Sequence, residues 1–180
     1  MTASATLVLD IGKTNVKLLA LNKAGAILDV ARMDNHSLDG PPYPHLDTER
    51  VWQWLLQSAA AFACGYAIDA IVPTTHGCTA GLVDASGLVL PILDYETEIP
   101  DDTAEAFAAI VPGFAETQSP HLPAGLNLGR QLFWLQRDFP QQFALHCLGV
   151  VVIAGCNLDK GTRTLDDMGP VVAHRRFVGA

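Results

Sequence analysis

The chain has little positive charge: 11 Lys and Arg stand against 19 Asp and Glu, for a net charge of −8. It holds no basic run. That balance argues against nucleic acid or an anionic membrane surface as a partner. A phosphate ligand remains compatible, because a few local lysines and backbone N–H groups suffice for it. Also missing is any apolar run near the ~20 residues of a spanning helix. The N-terminus lacks the basic stretch and apolar core of a secretory signal. The 4 cysteines, Cys64, Cys78, Cys147 and Cys156, form no Cys-x-x-Cys pair and do not group with histidine at zinc-ligand spacing. They read as isolated thiols in a reducing compartment, so the expected location is cytoplasmic. Asn35-His36-Ser37 matches the glycosylation pattern, which such a compartment leaves unused. Apolar residues are not scarce, at 49%. The 180 residues make one ordinary domain or a part of a larger two-domain protein.

What is present begins with Leu7-Val8-Leu9-Asp10-Ile11-Gly12-Lys13-Thr14-Asn15-Val16-Lys17-Leu18. An apolar strand runs into an Asp, turns through a Gly with small polar residues, and leaves on a second strand. Such a turn gathers a carboxylate, backbone N–H groups, a hydroxyl and two lysines around one phosphate. Gly12-Lys13-Thr14 is not the end of a P-loop: Leu7 stands where that motif needs its first Gly, and the segment after it reads as strand rather than helix.

Strands are expected at 6–10, 16–21 and 26–32, linked tightly enough for an antiparallel meander. Gly40, Pro41, Pro42 and Pro44 are expected to rule out regular structure across 34–46. Asp47 is a plausible N-cap for a helix carrying Val51, Trp54, Leu55, Ala59 and Phe62 at helical spacing, with Gly65 as its stop. Trp52 and Trp54 are both expected in the core. A short strand at 70–72, ending at Pro73, completes a βββαβ order. Further on, a hairpin is expected from 79–83 and 88–93 across Asp84-Ala85-Ser86-Gly87, then helices at 102–111 and 128–139. A strand is expected near 148–154.

These features resemble the FGGY carbohydrate kinases, within the sugar kinase, Hsp70 and actin superfamily. The first phosphate loop of that superfamily joins the first two strands of its sheet through an Asp-x-Gly-Thr-type turn. Asp10, Gly12, Lys13, Thr14, Asn15 and Lys17 fall at its places. Thr74-Thr75-His76-Gly77-Cys78, the 83–96 hairpin with Leu93-Asp94-Tyr95-Glu96, and the Leu-Asn-Leu-Gly-Arg-Gln-Leu-Phe-Trp-Leu run from 126 resemble its sugar-binding part. The resemblance covers residues 6 to 144. It implies an α/β, ribonuclease-H-like (actin-like ATPase) domain: a βββαβ-type mixed sheet flanked by helices. It also implies ATP-dependent phosphorylation of a ketose, such as a hexulose or pentulose, or of a polyol. ATP and Mg would be the cofactors. Asp10, Gly12, Lys13, Thr14, Asn15 and Lys17 would meet the nucleotide, with Asp10 at the metal. His76, Gly77, Asp94, Tyr95 and Glu96 would meet the sugar. As acids on a loop, Asp94 and Glu96 are expected to be solvated. Trp134 is expected in the core, with a lesser chance of bordering the sugar cleft.

The chain also departs from the family. Many members carry Asp and Arg shortly after the position of Tyr95, where this sequence offers Thr97 and Ile99. The family's catalytic Asp falls beyond residue 180, as does the lobe that supplies most nucleotide contacts. Domain limits of 1–144 for the kinase N-terminal domain and 145–180 for a divergent tail follow, with a frameshift near codon 145 as the expected origin of the tail. A truncated kinase of this kind is expected to show little turnover alone. The alternatives are a non-catalytic sugar-binding module and a degenerate fragment. Apolar surface left uncovered would favour self-association, a homodimer included.

Overall fold

Four strands build the first part of the chain, and burial alternates along the first two of them. The computed structural model describes residues 2–84, 87–146 and 149–153. These divide into two compact units: 2–38 with 46–77, and 39–45 with 78–153.

In the first unit, β1 (Ala3–Ile11), β2 (Asn15–Leu21) and β3 (Ile27–Asp34) form the expected antiparallel meander. Its second link closes as Asn22 Oδ1 accepts from the N–H groups of Ala24 and Ala26. Gly25 sits there at φ +77°, a conformation only glycine adopts cheaply. Two-residue strands follow at β4 (Ser37–Leu38) and β5 (His45–Leu46), within the span expected to be irregular. The prolines leave those pairs of residues free to extend on either side of them.

Helix α1 (Thr48–Ala63) starts as expected, with Asp47 Oδ1 accepting from the Arg50 N–H at 3.1 Å. Strand β6 (Tyr66–Thr75) then runs parallel to β1, giving the sheet order β3-β2-β1-β6. It is longer than expected because Pro73 lies inside it rather than ending it. Among the described residues β6 is an edge strand, where a residue without an N–H is tolerated.

Alternation sends Ala5, Leu7 and Leu9 of β1 and Val16, Leu18 and Ala20 of β2 into one core, which Leu55 and Phe62 of α1 cover. Each fully buried leucine there contributes about 1.5–3 kcal/mol. Trp54 packs against this core, but Trp52 is 53% exposed. Residues two apart on a helix cannot share a face, so the joint placement of both tryptophans in the core is corrected for Trp52. On the sheet, Ser4 and Thr6 each donate a 2.8 Å hydroxyl bond to the Asp69 carboxylate. These bonds, Ser4's first, hold the Asp69 carboxyl below its usual range.

The second unit is built from short pieces. Strand β7 (Thr79–Asp84) lies between β8 (Gly87–Leu88) and β9 (Gly149–Ile153), antiparallel to both. The hairpin is therefore real but short: residues 89–93 leave the ladder and send Leu90 and Leu93 into the core. Ala85 and Ser86 of its turn lie outside the described residues, as do 147–148 and 154–180 of the tail.

Helices α2 (Asp101–Ile110) and α4 (Leu128–Asp138) match expectation; α3 (Phe114–Thr117), a 3-10 turn at Ala124–Leu126 and α5 (Pro140–His146) are additional. Tyr43, Leu82, Leu90, Leu93, Ile99, Trp134 and Leu135 form the core. Tyr43 is its hub, 5.5 Å from the rings of both Trp134 and Phe139, with its hydroxyl donating to the Pro91 carbonyl at 2.8 Å. Burial raises the pKa of that hydroxyl strongly. Trp134 is spent on this packing and on a 2.7 Å bond to Asp138 Oδ2. Ile99 is core as well.

Candidate functional site

The β1–β2 turn is held shut by its own backbone. The Gly12 N–H donates to the Asn15 carbonyl at 2.9 Å. A Cβ on Gly12 would stand 2.9 Å from that same oxygen, so a side chain is excluded there by backbone atoms that cannot swing away. Two further elements brace the turn. Asn35, just past β3, donates its N–H to the Thr14 carbonyl and its side-chain amide to the Gly12 carbonyl, both at 2.8 Å. Thr75, at the end of β6, donates its hydroxyl to the Ile11 carbonyl at 2.9 Å, and the His76 N–H reaches the same oxygen at 3.3 Å.

Register places Asp10 opposite Lys17. Their charged groups lie 3.7 Å apart, with the side chains 42% and 40% exposed. At that exposure the ion pair adds little stability. Both charges sit at the mouth of the turn and remain open to a ligand. Thr14 and Asn15 are exposed, with the Asn15 amide 3.0 Å from the Thr14 hydroxyl, and Lys13 Nζ lies 3.5 Å from Ser37 Oγ. The structure thus brings Asp10, Gly12, Lys13, Thr14, Asn15 and Lys17 together at the carboxyl end of β1, with His76 and Gly77 following β6 in the same unit. The His76 ring Nδ1 is 3.1 Å from the Gly77 carbonyl.

One carboxylate suits magnesium, which commonly takes one or two protein carboxylates and completes its shell with phosphate oxygens and water. No cluster of three or more His, Cys, Asp or Glu at metal-binding spacing occurs among the described residues. A single carboxylate such as Asp10 fits a cation that arrives with a nucleotide.

Asp94, Tyr95 and Glu96 belong to the second unit. Asp94 is only 7% exposed, which corrects its expected solvation; Glu96 is exposed as expected. The reason is a tight turn: Asp94 Oδ1 accepts from the Glu96 N–H at 3.0 Å, its carbonyl accepts from Thr97, and its own N–H donates to the Pro44 carbonyl. The buried carboxylate thereby shapes the turn that presents Tyr95 and Glu96. The Thr97 hydroxyl is buried without a hydrogen-bond partner among the described residues.

Cys78, directly after Gly77, holds φ +60°. A side chain in that region costs on the order of 1–3 kcal/mol and persists only where its surroundings demand it.

Sequence reasoning missed Asn35 as a brace, because it saw only a glycosylation pattern there. It placed Thr75 in a sugar-binding segment but missed it as a brace of the turn. A polar residue at the end of the third strand, facing the Asp-x-Gly turn, was the available signal for Asn35.

An α/β sheet of this order, with this turn between its first strands, defines a domain of the actin-like ATPase fold. The chain aligns with a carbohydrate kinase from Novosphingobium aromaticivorans at 32% identity and a TM-score of 0.80, over 86% of this chain and 32% of that one. A xylulose kinase from Rhodospirillum rubrum matches at 18% identity and a TM-score of 0.63, over 83% and 32%. A Plasmodium falciparum glycerol kinase with ADP matches at 12% identity and a TM-score of 0.59, over 79% and 31%. The last two speak for the fold alone. No protein-family model and no curated protein matches the chain. The chain is thus related to the carbohydrate kinases of the FGGY family. It spans about a third of the length of those it matches, consistent with an N-terminal lobe. Among the described residues, no helix is long and apolar enough to cross a membrane.

Proposed function

We propose that this chain is the lobe of a sugar kinase that carries the first phosphate loop and sugar contacts, serving ATP-dependent phosphorylation of a ketose or polyol. The observation that carries the reading is the braced Gly12 turn with the Asp10–Lys17 pair open at its mouth. Phosphoryl transfer depends chiefly on positioning and on stabilising spread negative charge. Gly12 lets the backbone come close to phosphate oxygens, and Thr14 and Asn15 offer polar groups beside it. Lys13 and Lys17 supply compensating charge. Asp10 would hold a hydrated magnesium ion, which neutralises phosphate charge when bound. His76 would hydrogen-bond a sugar hydroxyl beside Gly77. Asp94 would brace the turn that offers Glu96 to hydroxyls and Tyr95 to an apolar sugar face. The proton of the attacking hydroxyl needs a base. None of the residues singled out in this chain is assigned that part, so we expect little turnover by the chain alone.

Amide chemical shifts of the labelled chain test this. Mg-ATP should shift residues 10–17 and 35. A panel of D-xylulose, D-fructose, D-gluconate and glycerol should include a compound that shifts 76–77 and 94–96. Gly12→Ala should abolish the first response and spare the second. An unresponsive loop at millimolar Mg-ATP would overturn the nucleotide assignment, and silence across the whole panel would overturn the sugar assignment. Robust sugar-dependent ADP release by the chain alone would refute the expected low turnover.

A further inference from the structure

Gln131, on the inner face of α4, is 1% exposed. Its side-chain Nε2 donates to the Cys78 carbonyl at 2.7 Å and also to the Gly125 carbonyl. Both neighbours are carbonyls, which can only accept, so they fix which end of the amide faces them. The two N–H bonds of one nitrogen are thereby both used. A second link joins the same segments: the Cys78 thiol donates to the Leu126 carbonyl at 2.9 Å. The Ala124–Leu126 turn is therefore tied twice to the residue just before β7.

That turn is also the floor beneath Tyr95. A Cβ on Gly125 would stand 3.0 Å from the Tyr95 carbonyl oxygen and 3.1 Å from its Cα, so backbone lies directly on backbone. A turn that sits this close transmits its position to the segment above it. Cys78 stands in the left-handed region, a conformation that is costly for a side-chain-bearing residue and needs support from contacts such as these.

We propose that Gln131 and Cys78 are positioning residues for the sugar-contacting segment: through the Ala124–Leu126 turn they set where Tyr95 and Glu96 stand. Neither touches substrate. The proposal rests on the reading that residues 94–96 meet the sugar, and it gives a role in sugar affinity to two residues that the motifs contain without assigning them one. A leucine or methionine at 131 would fill the space but leave two buried carbonyls without donors. Serine at 78 would keep a donor, and alanine would remove it.

The test compares wild type with Gln131→Met, Cys78→Ala and Cys78→Ser, by amide hydrogen exchange and by titration with the same panel and with Mg-ATP. Gln131→Met and Cys78→Ala should speed exchange at 95–97 and 125–126. They should weaken the sugar response about tenfold, the weight of one lost hydrogen bond. The Mg-ATP response should stay unchanged, and Cys78→Ser should recover sugar affinity. Unchanged sugar affinity in both donor-deleting variants would overturn the proposal, as would equal loss of sugar and nucleotide responses. If Gln131→Met does not fold, the Cys78 pair decides by the same criteria. A wild-type chain that answers to no sugar overturns the underlying reading instead, and the sugar role of the two residues falls with it.

Discussion

The two units of this chain reach a defined geometry by different means. The first is organised by backbone ladders around an aliphatic core, and polar side chains enter mainly to brace one turn: Asn35 and Thr75 are buried against carbonyls of residues 11–14. The second has short elements around an aromatic hub, and buried polar groups recur through it: Thr79, Asp94, Thr103 and Gln131. Ladder geometry repeats along a strand and survives single substitutions. Geometry set by individual side-chain bonds depends on each donor. The first unit should therefore tolerate polar substitution outside its turn, and the second should not.

The sharpest way to break this division is to empty each core. Leu18→Ala should cost about 2–5 kcal/mol and Trp134→Ala about 3–5 kcal/mol. Amide exchange should rise mainly in the unit that carries the substitution. Equal loss of protection in both units would show that they unfold as one body.

A smaller effect is expected at the brace. Asn35→Ala leaves the Gly12 carbonyl without its side-chain donor and should cost about 1–3 kcal/mol by denaturant melting. Residues 12–15 should at the same time lose their response to Mg-ATP. Full stability with full response would mean that the turn needs only its own backbone bond.

The smallest effect is at Tyr43. Tyr43→Phe removes the bond to the Pro91 carbonyl and should cost about 0.5–1.5 kcal/mol. Burial raises the folded-state pKa, so the neutral hydroxyl's contribution is complete below the ordinary tyrosine value of about 10 and is lost as pH climbs above it. Near-ultraviolet circular dichroism should therefore show the second unit loosening in alkali, and Tyr43→Phe should blunt that transition.

The same contrast explains what could be read in advance. Strands β1 to β3 and helix α1 were legible because period-two and period-3.6 patterns are local. The Asp47 cap and the Gly25 turn were legible because their chemistry is local too. Pro73 misled, since whether a proline ends a strand depends on which strand lies beside it. Trp52 misled because, though apolar, it lies two residues from Trp54 and so on another side of the helix. Asp94 was expected in solvent because an acid in a loop usually is; the bond to the Glu96 N–H and the packing around it decided otherwise. The bracing role of Asn35 was easy to miss because its partner is 23 residues away, and only its place at the end of the third strand pointed to it.

The order of elements, the phosphate-loop candidates and the likeness to sugar kinases were contained in the sequence, because each rests on neighbours within a few residues. The parallel placement of β6, the burial of Asp94 and the clamp of Gln131 on Cys78 and Gly125 were decided only by the tertiary structure. Each depends on which distant segments pack or hydrogen-bond together, and no local pattern encodes that proximity.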